Sequence, residues 1–155
     1  MIILYSMIWI LGGYNGVTSN YKNLNSTEFI STKDGAINGP TLPEAVMDHC
    51  SVMLNGIIYL IGGVLTDSNG ESFGTKNVWE ANPTSGFTFT EGPSLINGRY
   101  LHGCATMSNA DKNIIVIAGG ISTYDGLLKS IEILDPSSNQ WVTGTEKIIT
   151  LVMYF

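Results

Sequence analysis

Ile8-Trp9-Ile10-Leu11-Gly12-Gly13, Ile58-Tyr59-Leu60-Ile61-Gly62-Gly63 and Ile115-Val116-Ile117-Ala118-Gly119-Gly120 are versions of one phrase, a short apolar run closed by two glycines. The glycine pairs start 50 and 57 residues apart, the interval expected of a repeated supersecondary unit. Because Gly-Gly arises by chance in a chain with 18 glycines, other landmarks have to recur in step with it. They do. Gly39-Pro40-Thr41-Leu42 matches Gly92-Pro93-Ser94-Leu95, and ten residues after the first glycine of each comes a histidine, His49 and His102. Each histidine opens a stretch that leads into the next Gly-Gly run.

Beyond each glycine pair a loop leads to a short segment, Thr27-Glu28-Phe29-Ile30, Val78-Trp79-Glu80-Ala81 or Ile131-Glu132-Ile133-Leu134. Asn82-Pro83 and Asp135-Pro136 then signal turns, followed by aromatic segments at Phe87-Thr88-Phe89 and Gln140-Trp141-Val142. One unit therefore reads as four short strands. The Gly-Gly strand is apolar on both faces, as suits a strand buried between two neighbouring sheets, and its glycines end it where the backbone needs positive φ or a close approach. Glu28, Glu80 and Glu132 recur on equivalent strands, which favours a repeated structural position over acid/base work.

These residues resemble the kelch repeat family across nearly the whole chain, from about residue 1 to about 144. The resemblance rests on Gly12, Gly13, Gly62, Gly63, Gly119, Gly120 and Trp141. It implies an all-β fold: a kelch-type β-propeller of about three four-stranded blades, hence a partial one. The single domain, 1–155, divides into units at about 1–42, 43–95 and 96–147, and 148–155 reads as the start of a further blade without its landmarks. The third unit fits best. The second has Phe87 and Phe89 in place of the tryptophan, and the first has only Ala36-Ile37. Rings of this family have about six blades and need about 300 residues, so 155 residues leave three readings open: a fragment, a truncated product, or half of an assembled ring. Strands only are expected, at least about ten, with no helix beyond two turns.

Charge bears on partners. Seven Lys and Arg against thirteen Asp and Glu give a net charge of −6 without a basic stripe, so nucleic acid and anionic membrane are not expected partners. The uncharged run 1–11 lacks a basic flank and a small-residue cleavage site and keeps strand phase, so it reads as blade rather than leader. With no targeting signal, the compartment is unassigned and a cytoplasmic one is the default. Asn25-Ser26-Thr27 is a sequon of low information. Cys50 and Cys104 lie one place out of register when aligned on His49 and His102, so they are expected to point to opposite sheet faces and to remain two buried thiols.

No nucleophile elbow, phosphate loop or His-Glu-x-x-His motif is present, and His49 and His102 repeat as a structural position would. The chain is accordingly expected not to be an enzyme, with no catalytic residues, metal or cofactor. The alternative is a fragment of a kelch-containing oxidase of the copper type. The leading reading is a protein-interaction module, of the kind that serves in adaptors, that grips a protein or peptide through rim loops. Those loops are 14–22, 65–76 and 122–129, with 97–101 between units, and the contacts they offer are Tyr14, Tyr21, Asp67, Asn69, Glu71, Arg99, Tyr100, Tyr124 and Asp125. Arg99 either meets an acidic partner or packs on a neighbouring blade. The apolar faces of an open ring also leave room for self-association.

Overall fold

A computed structural model describes residues 2–4, 7–16, 22–31, 33–108 and 112–144. Blade 1 contains Ile2–Leu4 (β1), Met7–Leu11 (β2), the hairpin Tyr14–Asn15 (β3) and Lys22–Asn23 (β4), then Thr27–Ser31 (β5) and Gly35–Asn38 (β6). Blade 2 repeats the series with Cys50–Leu54 (β7), Ile57–Ile61 (β8), Val64–Thr66 (β9), Ser72–Gly74 (β10), Val78–Ala81 (β11) and Phe89–Glu91 (β12). Blade 3 comprises Gly103–Ser108 (β13), Asn113–Ala118 (β14), Ile121–Ser122 (β15), Gly126–Leu127 (β16), Ile131–Asp135 (β17) and Gln140–Thr143 (β18). In each blade the first, second, fifth and sixth strands form a four-stranded antiparallel sheet, while the third and fourth form a separate hairpin beyond the glycine pair. No helix occurs among the described residues. The first strands gather on one side, β1 beside β7 and β7 beside β13, as around the axis of a propeller.

The doubly apolar Gly-Gly strands explain the stacking. In β8, Ile58 and Leu60 enter a core shared with Trp9, Leu11, Ala81 and Phe89, whereas Tyr59 and Ile61 enter one shared with Ile115, Ile117, Leu134 and Trp141. One strand thus feeds two seams. Each fully buried Ile or Leu there contributes about 1.5–3 kcal/mol relative to exposure. The first seam carries an aromatic cluster in which the Trp9 ring lies 3.9 Å from Phe29 and 4.2 Å from Phe87. At the second, Trp141 donates Nε1–H to the Pro93 carbonyl at 2.8 Å, tying the outer strand of blade 3 to the connection from blade 2. By register Phe89 takes the place of Trp141, and Ala36 takes it in blade 1, since each sits opposite the corresponding position of Ala81, Leu134 or Ile30.

Gly62 and Gly63 show what the pair does. Their φ values are 59° and 106°, and a Cβ would lie 2.6 Å from the Arg99 carbonyl oxygen at Gly62 and 2.7 Å from that of Met47 at Gly63. Gly63 donates its N–H to that Arg99 oxygen at 2.9 Å, so the connection between blades runs against bare backbone.

Two expectations are corrected by the register. Cys50 and Cys104 form a disulfide, with Cα atoms 6.0 Å apart. Their one-place offset does set them on opposite faces of their own sheets, Cys50 opposite Ile61 and Cys104 opposite Ile117. Blades, however, stack so that the forward face of one meets the backward face of the next, and opposite faces are the ones that meet. The three glutamates also differ: Glu28 and Glu132 share a position, but in blade 2 that position is Trp79, and Glu80 sits one step further on.

Candidate functional site

The short hairpins beyond the glycine pairs lie side by side and bond to one another. Asn23, on β4, donates Nδ2–H to the Val64 carbonyl at 2.9 Å and to Thr66 Oγ1 at 3.3 Å. On the far side Gly74 donates its N–H to Thr123 Oγ1 at 2.7 Å. Each connection between blades joins this ledge through one antiparallel bridge, Met47 pairing with Val64 and Tyr100 with Ile121. The result is a continuous rim whose residues are released from blade packing.

Most of the contacts expected from sequence stand on it. Tyr124 is 90% exposed and Tyr14 54%, and they are joined by Leu127, 61% exposed, which is not among the contacts expected from sequence. Asp67, Asn69 and Glu71 form a tight turn in which Asp67 Oδ1 accepts the N–H groups of Asn69 at 2.8 Å and Glu71 at 2.9 Å. Asp125 is braced by Ser122, whose hydroxyl donates to Oδ2 at 3.2 Å. Tyr21 lies outside the described residues.

Arg99 is the correction. Its side chain is fully buried and cannot touch a partner. It forms an ion pair with Glu132, itself buried, and donates to the Gly119 carbonyl at 2.9 Å and to Ser130 Oγ at 3.0 Å. Glu132 in turn accepts the N–H of Ile96 at 2.8 Å and of Asn97 at 3.1 Å. A charge survives in such a place only when paired and hydrogen-bonded, as this one is. The equivalent position in the earlier connection is Val46, and there the carboxylate lies on the connection instead: Glu44 accepts from Asn77 at 2.8 Å and from Trp79 Nε1 at 3.3 Å.

The histidines lie under the rim. Burial lowers the His49 pKa to about 4, and burial reinforced by the Arg99 charge and by His49 lowers that of His102 to about 3. Both ring nitrogens of His102 are without a hydrogen-bond partner among the described residues, and the ring packs over Gly62, where a Cβ would lie 3.0 Å from Cε1. No group of three or more His, Cys, Asp or Glu converges as metal ligands would among the described residues.

One feature of the rim went unread in the sequence. A cavity of about 190 Å³, lined by Met47, Asp48, Val64, Ser72, Phe73 and Tyr100, opens where the hairpin β9–β10 meets both connections. Gly74 makes room for it, since a Cβ there would lie 3.1 Å from the Tyr100 ring. Asp48 holds φ at 53°, and partial burial raises its carboxyl pKa above the ordinary value. The only local signal was the place of Asp48 immediately before a landmark histidine.

Comparison with known proteins agrees with this geometry. Residues 98–147 match the family model of the kelch motif. Protein C13 of Swinepox virus (strain Kasza) is 31% identical over 129 residues, which cover 83% of this chain and 24% of that protein. The structure of YjhT superposes with a TM-score of 0.66 at 14% identity, over 89% of this chain and 51% of that one, a likeness of fold alone. The chain thus spans about a quarter of its curated relative.

Proposed function

This chain is built of kelch repeats, and we propose that it is a non-catalytic protein-interaction module that binds a peptide segment of a partner protein along its hairpin rim. Kelch repeats in general mediate contacts between proteins; the binding surface and its residues are our reading. The observation that carries it is the exposure of Tyr14, Tyr124 and Leu127 on a hydrogen-bonded ledge that lies apart both from the seams and from the outer faces of blades 1 and 3. Tyrosine and apolar side chains beside Asp67, Glu71 and Asp125 make the mixture of amphipathic anchors and polar groups typical of recognition surfaces.

Panning a phage-displayed random peptide library on the purified chain tests this. The selected peptides should lose affinity by at least about tenfold in a Tyr124→Ala/Leu127→Ser variant whose melting midpoint is unchanged. Peptides that bind wild type and variant equally would place recognition elsewhere. Stoichiometric copper in the purified protein would favour the oxidase reading instead.

A further inference from the structure

We propose that the cavity beside Asp48 is the specificity pocket of this rim and that it takes a lysine or arginine side chain of the partner peptide. The inference rests on the reading of the rim as a peptide-binding surface and names the chemistry of what is bound.

Size comes first. At about 190 Å³ the cavity falls below the roughly 300–1,000 Å³ of sites for whole small molecules, and it suits one side chain. Its lining is apolar and aromatic, from Met47, Val64, Phe73 and Tyr100, with the Ser72 hydroxyl and one ionisable carboxyl, that of Asp48. A long aliphatic stem ending in a cation matches this lining: methylenes against Met47 and Val64, the charged head against aromatic faces and a carboxylate.

Charge decides between a basic and an acidic occupant. The Asp48 carboxylate forms no hydrogen bond or ion pair with any described residue. The nearest arginine in sequence, Arg99, is already neutralised in its buried pair with Glu132. Asp67 and Glu71, on the turn of the hairpin that supplies Ser72 and Phe73, are exposed and acidic, as is Asp125 on the next hairpin. The same loops also carry Lys22, Lys76 and Lys129, all exposed, so the rim as a whole holds only a small excess of acid; it is Asp48, the one carboxyl of the pocket lining, that favours a basic side chain there over an acidic one.

Asp48→Asn is the informative variant. Asparagine populates positive φ as readily as aspartate, so the change removes charge while preserving backbone and shape. Peptides selected on the wild-type chain from the random library should share a lysine or arginine. They should bind Asp48→Asn at least about tenfold more weakly and lose affinity as salt rises, and replacing their shared base with glutamine should cost as much on the wild-type chain. The glutamine peptides keep the test decisive even if the variant folds poorly. Selected peptides without a common base, or with a base whose loss changes nothing, would overturn the pocket. Peptides indifferent to Asp48→Asn but lost in Tyr124→Ala/Leu127→Ser would overturn the pocket and leave the rim standing. Peptides indifferent to both, or no peptide selected at all, would overturn both.

Discussion

Arg99 shows how far a single residue's role depends on a partner distant in sequence. Read alone, it is a cation in a connecting loop; its meaning comes from Glu132, 33 residues later, which no local pattern links to it. Replacing it with methionine leaves the Glu132 carboxylate buried and unpaired, so Arg99→Met should cost about 3–5 kcal/mol in urea unfolding. Glu132→Gln should be destabilising too, and a variant at wild-type stability would contradict the pairing. The histidines make a pH prediction. Both fold as neutral imidazoles, with pKa values of about 4 and about 3, against 6.5 for the ordinary side chain. Between those limits the unfolded chain binds more protons, so their contribution is complete above the ordinary pKa and is lost as pH falls to about 4 for His49 and about 3 for His102. The urea midpoint should therefore drop from pH 7 to pH 5, and His102→Gln should flatten that slope. An equally steep slope in the variant would refute the assignment.

Among the elements, the Gly-Gly strands were legible because their chemistry is local. An apolar run with no polar face has to be buried on both sides, and β8 is. The Gly-Pro and histidine landmarks fall in the connections that dock on the glycines, and Gly62→Val should lower stability by at least about 1 kcal/mol in thermal unfolding. The disulfide was misread for a reason on the same scale. Strand parity correctly separates Cys50 from Cys104 within their sheets, but whether opposite faces meet is decided by how sheets stack, which parity does not contain. Reduction, or Cys104→Ser, should lower stability by about 2–5 kcal/mol, because the bond closes a long loop across the second seam. An unchanged midpoint after reduction would mean that the seam does not need it. The pocket beside Asp48 escaped notice because its lining comes from two connections and a hairpin, segments that converge only when blades 2 and 3 are packed.

At the scale of the whole molecule, two seams are complete and two faces remain. Blade 1 turns Ile8, Ile10 and Ile30 outward, the backward face that in blades 2 and 3 meets a preceding blade. Blade 3 turns Met107, Val116 and Val142 outward, the forward face that elsewhere meets a following one. These faces are complementary in kind, so two copies of the purified chain can join head to tail, burying apolar surface worth about 25 cal/mol per Å², and form a ring if the rotation closes. Every seam is thus one forward face against one backward face. Sedimentation velocity tests it most directly. At on the order of tens of micromolar the purified chain should self-associate, and Ile10→Lys and Val142→Lys should each abolish ring closure, yet an equimolar mixture of the two should recover a dimer through the one intact pair of faces. A dispersed monomer with no binding of a hydrophobic dye, or association unaffected by either lysine, would contradict the claim.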